Sequence, residues 1–379
     1  VTGDQFYGPW PDVATARLFL RHLCRLTTVD AEILPDAERL SGWIIEAEIS
    51  TLAAARLKEV FPQLAVMLMG DVYVAIAEHE LHLSCLQDIA ALFAAHDAPV
   101  VLLKGAALGL CVYEESYWRI MADIDLWMPE ASLPGAVKLM GVLGYESFVK
   151  VDRPFSLQLL ADGEVRFSRK DWHWGNVELH LSPFSGWWLH RVACVDVAGV
   201  WSRKEPLAEP SVGLRLSPED MVLQNAVHTA VNHQFGLAMI RSLLDVVFIE
   251  QTLTVDWNVV VSRAQAWRVA TAVYLVLELV DRLIGIDGLA EAMAPIRPSR
   301  WRRWLLHCFV TPESVLAGRD LRDGPVRFLL LLLLVDRVRD MGYLIYRTVW
   351  PEKEWLVARY GRSVSHLAHI GQIMRRRSV

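Results

Sequence analysis

This 379-residue chain contains no apolar stretch long enough to cross a bilayer. Its longest apolar block, Phe328 to Val335, has eight residues between Arg327 and Asp336. A spanning helix needs roughly 20, so the block reads as a fully buried helix segment. Cysteine is scarce: Cys24, Cys85, Cys111, Cys194 and Cys308 are scattered, with no C-x-x-C pair. That spacing supports neither a zinc ribbon nor a disulfide framework and fits a reducing cytoplasm. Positive charge is in deficit. A net charge of -6 argues against an extended nucleic-acid surface. No signal peptide is visible, because the apolar run at Leu18-Phe19-Leu20 is interrupted at Arg21 and Arg25. Val1 in place of methionine points to a trimmed or processed chain. Internal repeats, low-complexity linkers and a G-x-x-x-x-G-K-[ST] phosphate loop are also missing.

What is present is apolar material: 53% of residues are hydrophobic, ample for a large core and two or more subdomains. Residues 1–97 read as helical, with three- and four-residue apolar spacing over Ala14–Leu26, Gly42–Val60 and Leu64–Ala95. Asp97-Ala98-Pro99 breaks the pattern, since a residue before proline is pushed out of helix. Residues 98–205 change character. Val100–Leu103, Ile124–Met128, Glu164–Phe167 and Val177–Leu181 read as strands, Leu133–Leu143 as a helix closed by Gly144, and Asp171–Asn176 as a turn. Residues 206–379 turn helical again, opening at Ser217-Pro218-Glu219-Asp220 with a serine cap, proline in the first turn and acids behind it. Further helices are expected over Ala264–Ile284, Arg300–Val310 and Pro325–Tyr346. The fold class expected is α+β: a small mixed-sheet core flanked by N-terminal and C-terminal helical regions.

Three elements of the core carry chemistry. Val100 to Leu103 runs straight into Lys104-Gly105, where glycine permits close approach to a phosphate and lysine supplies charge. The second strand brings Asp123 and Asp125, two apart and so expected on one face. Paired carboxylates repel unless a cation sits between them, and a hard divalent ion such as Mg²⁺ is the usual solution. The third element is Val177-Glu178-Leu179-His180, in which Glu178 and His180 share a face. A third carboxylate beside the aspartates suits a metal site for phosphoryl or nucleotidyl transfer.

The runs LLKGAAL, RIMADIDLWM, LGYE and VELHLS resemble the uncharacterised nucleotidyltransferases of the polymerase-beta-like superfamily. SPEDMVLQNAVHTAVNH, RSLLDVVFI and WPEKEWLVARYG are similar to that family's helical C-terminal part. The resemblance implies a nucleotidyltransferase core that moves a nucleoside monophosphate from an NTP, with ATP the expected donor, to an acceptor in a small molecule, peptide or protein. It assigns Asp123, Asp125 and Glu178 to Mg²⁺ or Mn²⁺, with Glu178 also a base for the acceptor. Gly105 falls in the phosphate turn, with Arg119 a candidate phosphate ligand and His180 near nucleotide or metal. Lys104 departs from the Gly-Ser pair of better-known members.

Each residue also has a plainer reading. Glu178 can simply pair with Arg166, His180 can serve as a hydrogen-bond partner, and Lys104 can reach from a strand end to water. His228 and His233, five apart on a helix, stand about 140° from one another and so are not expected to form a joint metal site. Arg241 and Asp245, four apart, are expected to pair with each other. Trp172, His173 and Trp174 could stack on a base, and Arg375-Arg376-Arg377 is expected to be a solvated tail. A kinase on the same core and a non-catalytic nucleotide- or peptide-binding scaffold are the competing functions.

Overall fold

The computed structural model describes residues 9–149, 154–169, 172–207, 213–233, 235–319, 321 and 324–376. Among them one mixed sheet contains β1 (Val101–Leu102), β2 (Ile124–Trp127), β3 (Tyr145–Phe148), β4 (Glu164–Arg169), β5 (Trp172–His180), β6 (Glu205–Pro206) and β7 (Leu214–Arg215). The strand order is β3-β4-β5-β2-β1-β7-β6. β2 runs parallel to β5, and β1 to β7, while the remaining neighbours are antiparallel. A parallel pair needs a long crossover, and here β3, β4 and the helix Leu133–Val142 supply it between β2 and β5. The fold is α+β with helical flanks, as expected.

Alternation decides how the sheet's centre is used. Ile124, Leu126, Val165, Phe167, Val177 and Leu179 are each no more than 1% exposed and belong to the main core. The residues between them, Asp125, Glu164, Arg166, Glu178 and His180, project from the opposite face. The helix Met69–Ala94 packs against β5. At Gly175, with φ +74°, a Cβ would stand 2.9 Å from the Cys85 sulfur, so only glycine fits there.

One continuous apolar core runs from Trp10 to Leu334. It crosses both boundaries expected from the sequence, at 97/98 and 205/206, and β6 and β7 straddle the second. The Ser217 hydroxyl accepts from the Asp220 amide at the start of the helix Pro218–His228, with Pro218 in its first turn. No helix among the described residues is long and apolar enough to cross a membrane.

Several long helices expected from periodicity are broken in two. Gly42–Val60 becomes Ala37–Glu46 and Ser50–Leu57, with Glu48 at φ +58° between them. Ala264–Ile284 divides into Trp257–Ala266 and Ala270–Leu283 around Arg268, at φ +60°. Pro325–Tyr346 divides into Gly324–Leu333 and Val338–Val349. The apolar period continues through each break, so hydropathy alone does not reveal the joint; in the first two pairs both halves face the main core, whereas Leu344 of Val338–Val349 belongs to a separate cluster with Val192 and Val335. The block Phe328–Val335 is not fully buried: Leu330 and Leu334 are, but Leu329 is 50% exposed. Of the turn expected over Asp171–Asn176, Trp172–Asn176 belong instead to β5. Asp171, Arg377 and the side chains of Trp172, His173, Trp174, Arg375 and Arg376 lie outside the described residues.

Candidate active site

Strand register assembles the site. Asp125 on β2 stands opposite Glu178 on β5, and Glu178 stands opposite Arg166 on β4. Two residues further along, His180 stands opposite Glu164. Cross-strand partners project to the same side, so these five side chains form one polar patch at the centre of the sheet. The ligand atoms of Asp125, Glu178 and His180 all lie within 4.8 Å of one another, close enough for a single cation. Two carboxylates suit a hard divalent ion.

Asp123 sits just before β2 rather than within it, because the strand begins at Ile124. It is not in that three-residue cluster. It does line the same cavity of about 400 Å³, together with Lys104, Gly105, Asp125 and Glu178. His180 stays behind the cavity wall, 1% exposed, with Nε2 2.6 Å from Asp125 Oδ1. A carboxylate only accepts, so the Nε2 hydrogen faces Asp125 and fixes its rotamer.

Lys104 reaches the same Asp125 oxygen at 2.7 Å. Its backbone has φ +48°, an uncommon left-handed conformation for a residue with a Cβ, at the joint between β1 and the helix Lys104–Cys111. The joint is also fixed by the Leu103 amide, which donates to the Asp125 carbonyl at 3.0 Å. Gly105 opens the helix on the cavity wall, where an added Cβ would stand 2.9 Å from Met121 Cγ.

Electrostatics divide the carboxylates. Burial alone would raise Asp125, but the Lys104 ammonium and the His180 hydrogen bond outweigh it and hold the carboxyl below its usual range. Glu178 moves the other way. Burial and the charges of Asp125, Glu164 and Asp123 push it up to about 8, although Arg166 is ion-paired to it. Asp123 is likewise raised, by burial and then by Asp125. The patch therefore offers more carboxyl groups than its fixed cations can keep ionised, which is the condition under which a metal ion displaces protons.

Arg119, expected to bind phosphate, lines the same cavity and carries a buried ion pair. Its Nε donates to both oxygens of Asp245 at 2.8 and 3.0 Å, and its Nη1 to the Ile120 carbonyl at 2.8 Å. Asp245 also accepts from the Tyr113 hydroxyl at 2.7 Å. The expected Arg241–Asp245 helix pair is replaced by this buried one. Arg241 instead pairs with Glu48 and donates to the Ile120 carbonyl at 3.0 Å. Burial and the Arg119 charge lower it to about 10. It borders the cavity and is a cation the sequence did not single out for that role.

The histidines correct the sequence reading in another way. A π-helical turn, Thr229–His233, follows the helix Pro218–His228. Its i→i+5 repeat places residues five apart over one another. The His228 and His233 rings therefore meet edge to face, 4.6 Å between centroids, and both line the cavity. Burial, then the charge of Lys104, hold His228 well below its ordinary value, so the ring is neutral. The α-helical 100° step assumed for this stretch hid the pair.

Residues 35–285 match a family model described as an uncharacterised nucleotidyltransferase, a span that includes the whole site. No curated protein and no solved structure matches the chain.

Proposed function

The chain belongs to the uncharacterised nucleotidyltransferase family, and on that premise we propose a metal-dependent transfer of a nucleoside monophosphate from an NTP to an acceptor oxygen. The observation that carries this reading is the in-register pair Asp125 and Glu178 on adjacent parallel strands, facing a cavity that also receives Lys104 and Asp123. ATP is the donor and Mg²⁺ or Mn²⁺ the ion in this proposal. The acceptor is a small molecule or a residue of a peptide or protein.

Asp125 and Glu178 would hold the ion, with Asp123 at the rim of the same cavity. The ion would polarise the α-phosphate and offset charge that builds up on the leaving oxygen. The protein's own groups do the rest. His180 orients Asp125. Gly105 brings its backbone to the cavity wall, where a phosphate would approach the start of the helix Lys104–Cys111. Glu178, ionised when the ion is bound, would accept the acceptor hydroxyl's proton. The new oxygen–phosphorus bond forms as the bond to the β-phosphate oxygen breaks, and pyrophosphate leaves.

The first test needs no acceptor. A ligand that binds only the native state raises stability by mass action. Thermal unfolding of wild type and Asp125→Asn with each NTP, with and without Mg²⁺, is expected to show a Mg²⁺-dependent rise that the variant lacks. No rise with any NTP would remove the donor-site reading. Once an acceptor is found, label must travel from the α-phosphate, since transfer from the γ-phosphate would make the protein a kinase.

A further inference from the structure

The Lys104 ammonium lies where a cation would be expected. Nζ is 2.7 Å from Asp125 Oδ1, and the side chain is 20% exposed where it meets the cavity. It is held there by a left-handed backbone at the strand end and by the tie between Leu103 and the Asp125 carbonyl. Two-metal phosphoryl-transfer sites keep their ions roughly 3.5–4 Å apart, bridged by shared carboxylates. An ammonium in contact with Asp125 occupies the space and the charge that one of those ions needs.

The charges of the patch lead to the same conclusion. Asp123, Asp125, Glu164 and Glu178 face Lys104 and Arg166, with Arg166 bonded to both glutamates. Two fixed monovalent cations carry the same total charge as one divalent ion. Lysine suits the position because its ammonium is a compact point charge with three donors, closer to a hydrated metal ion than a planar guanidinium is.

We infer that Lys104 stands in for a second metal ion. The site takes one divalent cation with the nucleotide, and the ammonium fills the neighbouring position at Asp125. This rests on the nucleotidyl-transfer reading, but its test can fail separately.

The experiment counts Mn²⁺ on the full chain by electron paramagnetic resonance, with and without an α,β-methylene NTP. Wild type, Lys104→Met and Lys104→Ser are compared, with circular dichroism melts to confirm that each folds. With the nucleotide, wild type is expected to bind one ion, and Lys104→Ser two, because serine opens the position and adds an oxygen ligand. Without nucleotide, Lys104→Met is expected to bind Mn²⁺ more tightly than wild type, since a competing cation has been removed. Two ions on wild type, or unchanged Mn²⁺ affinity in Lys104→Met, would overturn the inference. Tighter Mn²⁺ binding in Lys104→Met, with no nucleotide binding by any form, would remove the transfer reading and overturn the inference with it, leaving Lys104 only as a competitor for a cation site.

Discussion

Arg119 and Asp245, 126 residues apart in sequence, form a buried two-oxygen ion pair that ties the segment before β2 to the helix Met239–Leu253. Asp245 is 0% exposed and also accepts from Tyr113. Removing one partner strands the other charge without water. Asp245→Ala should therefore cost on the order of 3–5 kcal/mol in urea denaturation. The double change Arg119→Met with Asp245→Leu should recover much of that loss. A cost below about 1 kcal/mol for Asp245→Ala would mean that the guanidinium finds solvent.

Glu178 should leave a pH signature in the metal-free protein. Its folded pKa, about 8, lies above the ordinary value of 4.5. The native state therefore binds the proton more tightly than the unfolded chain does. That stabilisation is complete below the ordinary value and is lost as pH rises through about 8. Stability measured from about pH 5 to about pH 9 should fall for this reason, with a shallower fall in Glu178→Gln. Asp123, also raised, adds to the same slope. Metal affinity should rise over the same range, because a ligating carboxylate must first lose its proton. Equal slopes in wild type and variant would remove Glu178 as the titrating group.

His228 gives the opposite sign. Its folded pKa is lowered by burial first and by Lys104 next. Its neutral form contributes stability above the ordinary histidine value, and this is lost as pH falls below it. The ring resonances of His228 should show no protonation at pH values where an exposed histidine is already half charged. A normal titration curve would show the ring to be solvated.

Two neighbouring glycines should behave differently. A Cβ at Gly105 meets the flexible Met121 side chain, at 2.9 Å from Cγ, whereas at Gly109 it meets the Ser116 carbonyl at 2.8 Å. Gly105→Ala should fold with a melting temperature near wild type and show weaker Mg²⁺·NTP stabilisation. Gly109→Ala should lose stability, because a backbone carbonyl in a fixed turn cannot step aside. Comparable melting losses in both would mean that Met121 is as immobile as the backbone.

The sequence by itself determined the local parts of this protein. Alternation fixed Glu178 and His180 on one face, and the Ser217-Pro218 cap placed the start of the helix Pro218–His228. The motif runs around Lys104, Asp125 and Glu178 marked the family, and residues 35–285 match it. These features are legible because each depends on residues a few positions apart and on a fixed backbone period. Non-local relationships were decided only by the tertiary structure. The pairing of Asp125 with Glu178 comes from a parallel register across a long crossover. Arg119 pairs with Asp245 because folding brings together two groups 126 residues apart and buries both. The π-helical turn brought His228 and His233 together against the period that local reasoning assumes. Lys104 was visible as a residue, but its contact with Asp125 required a left-handed joint that no lysine adopts unless surrounding packing holds it there.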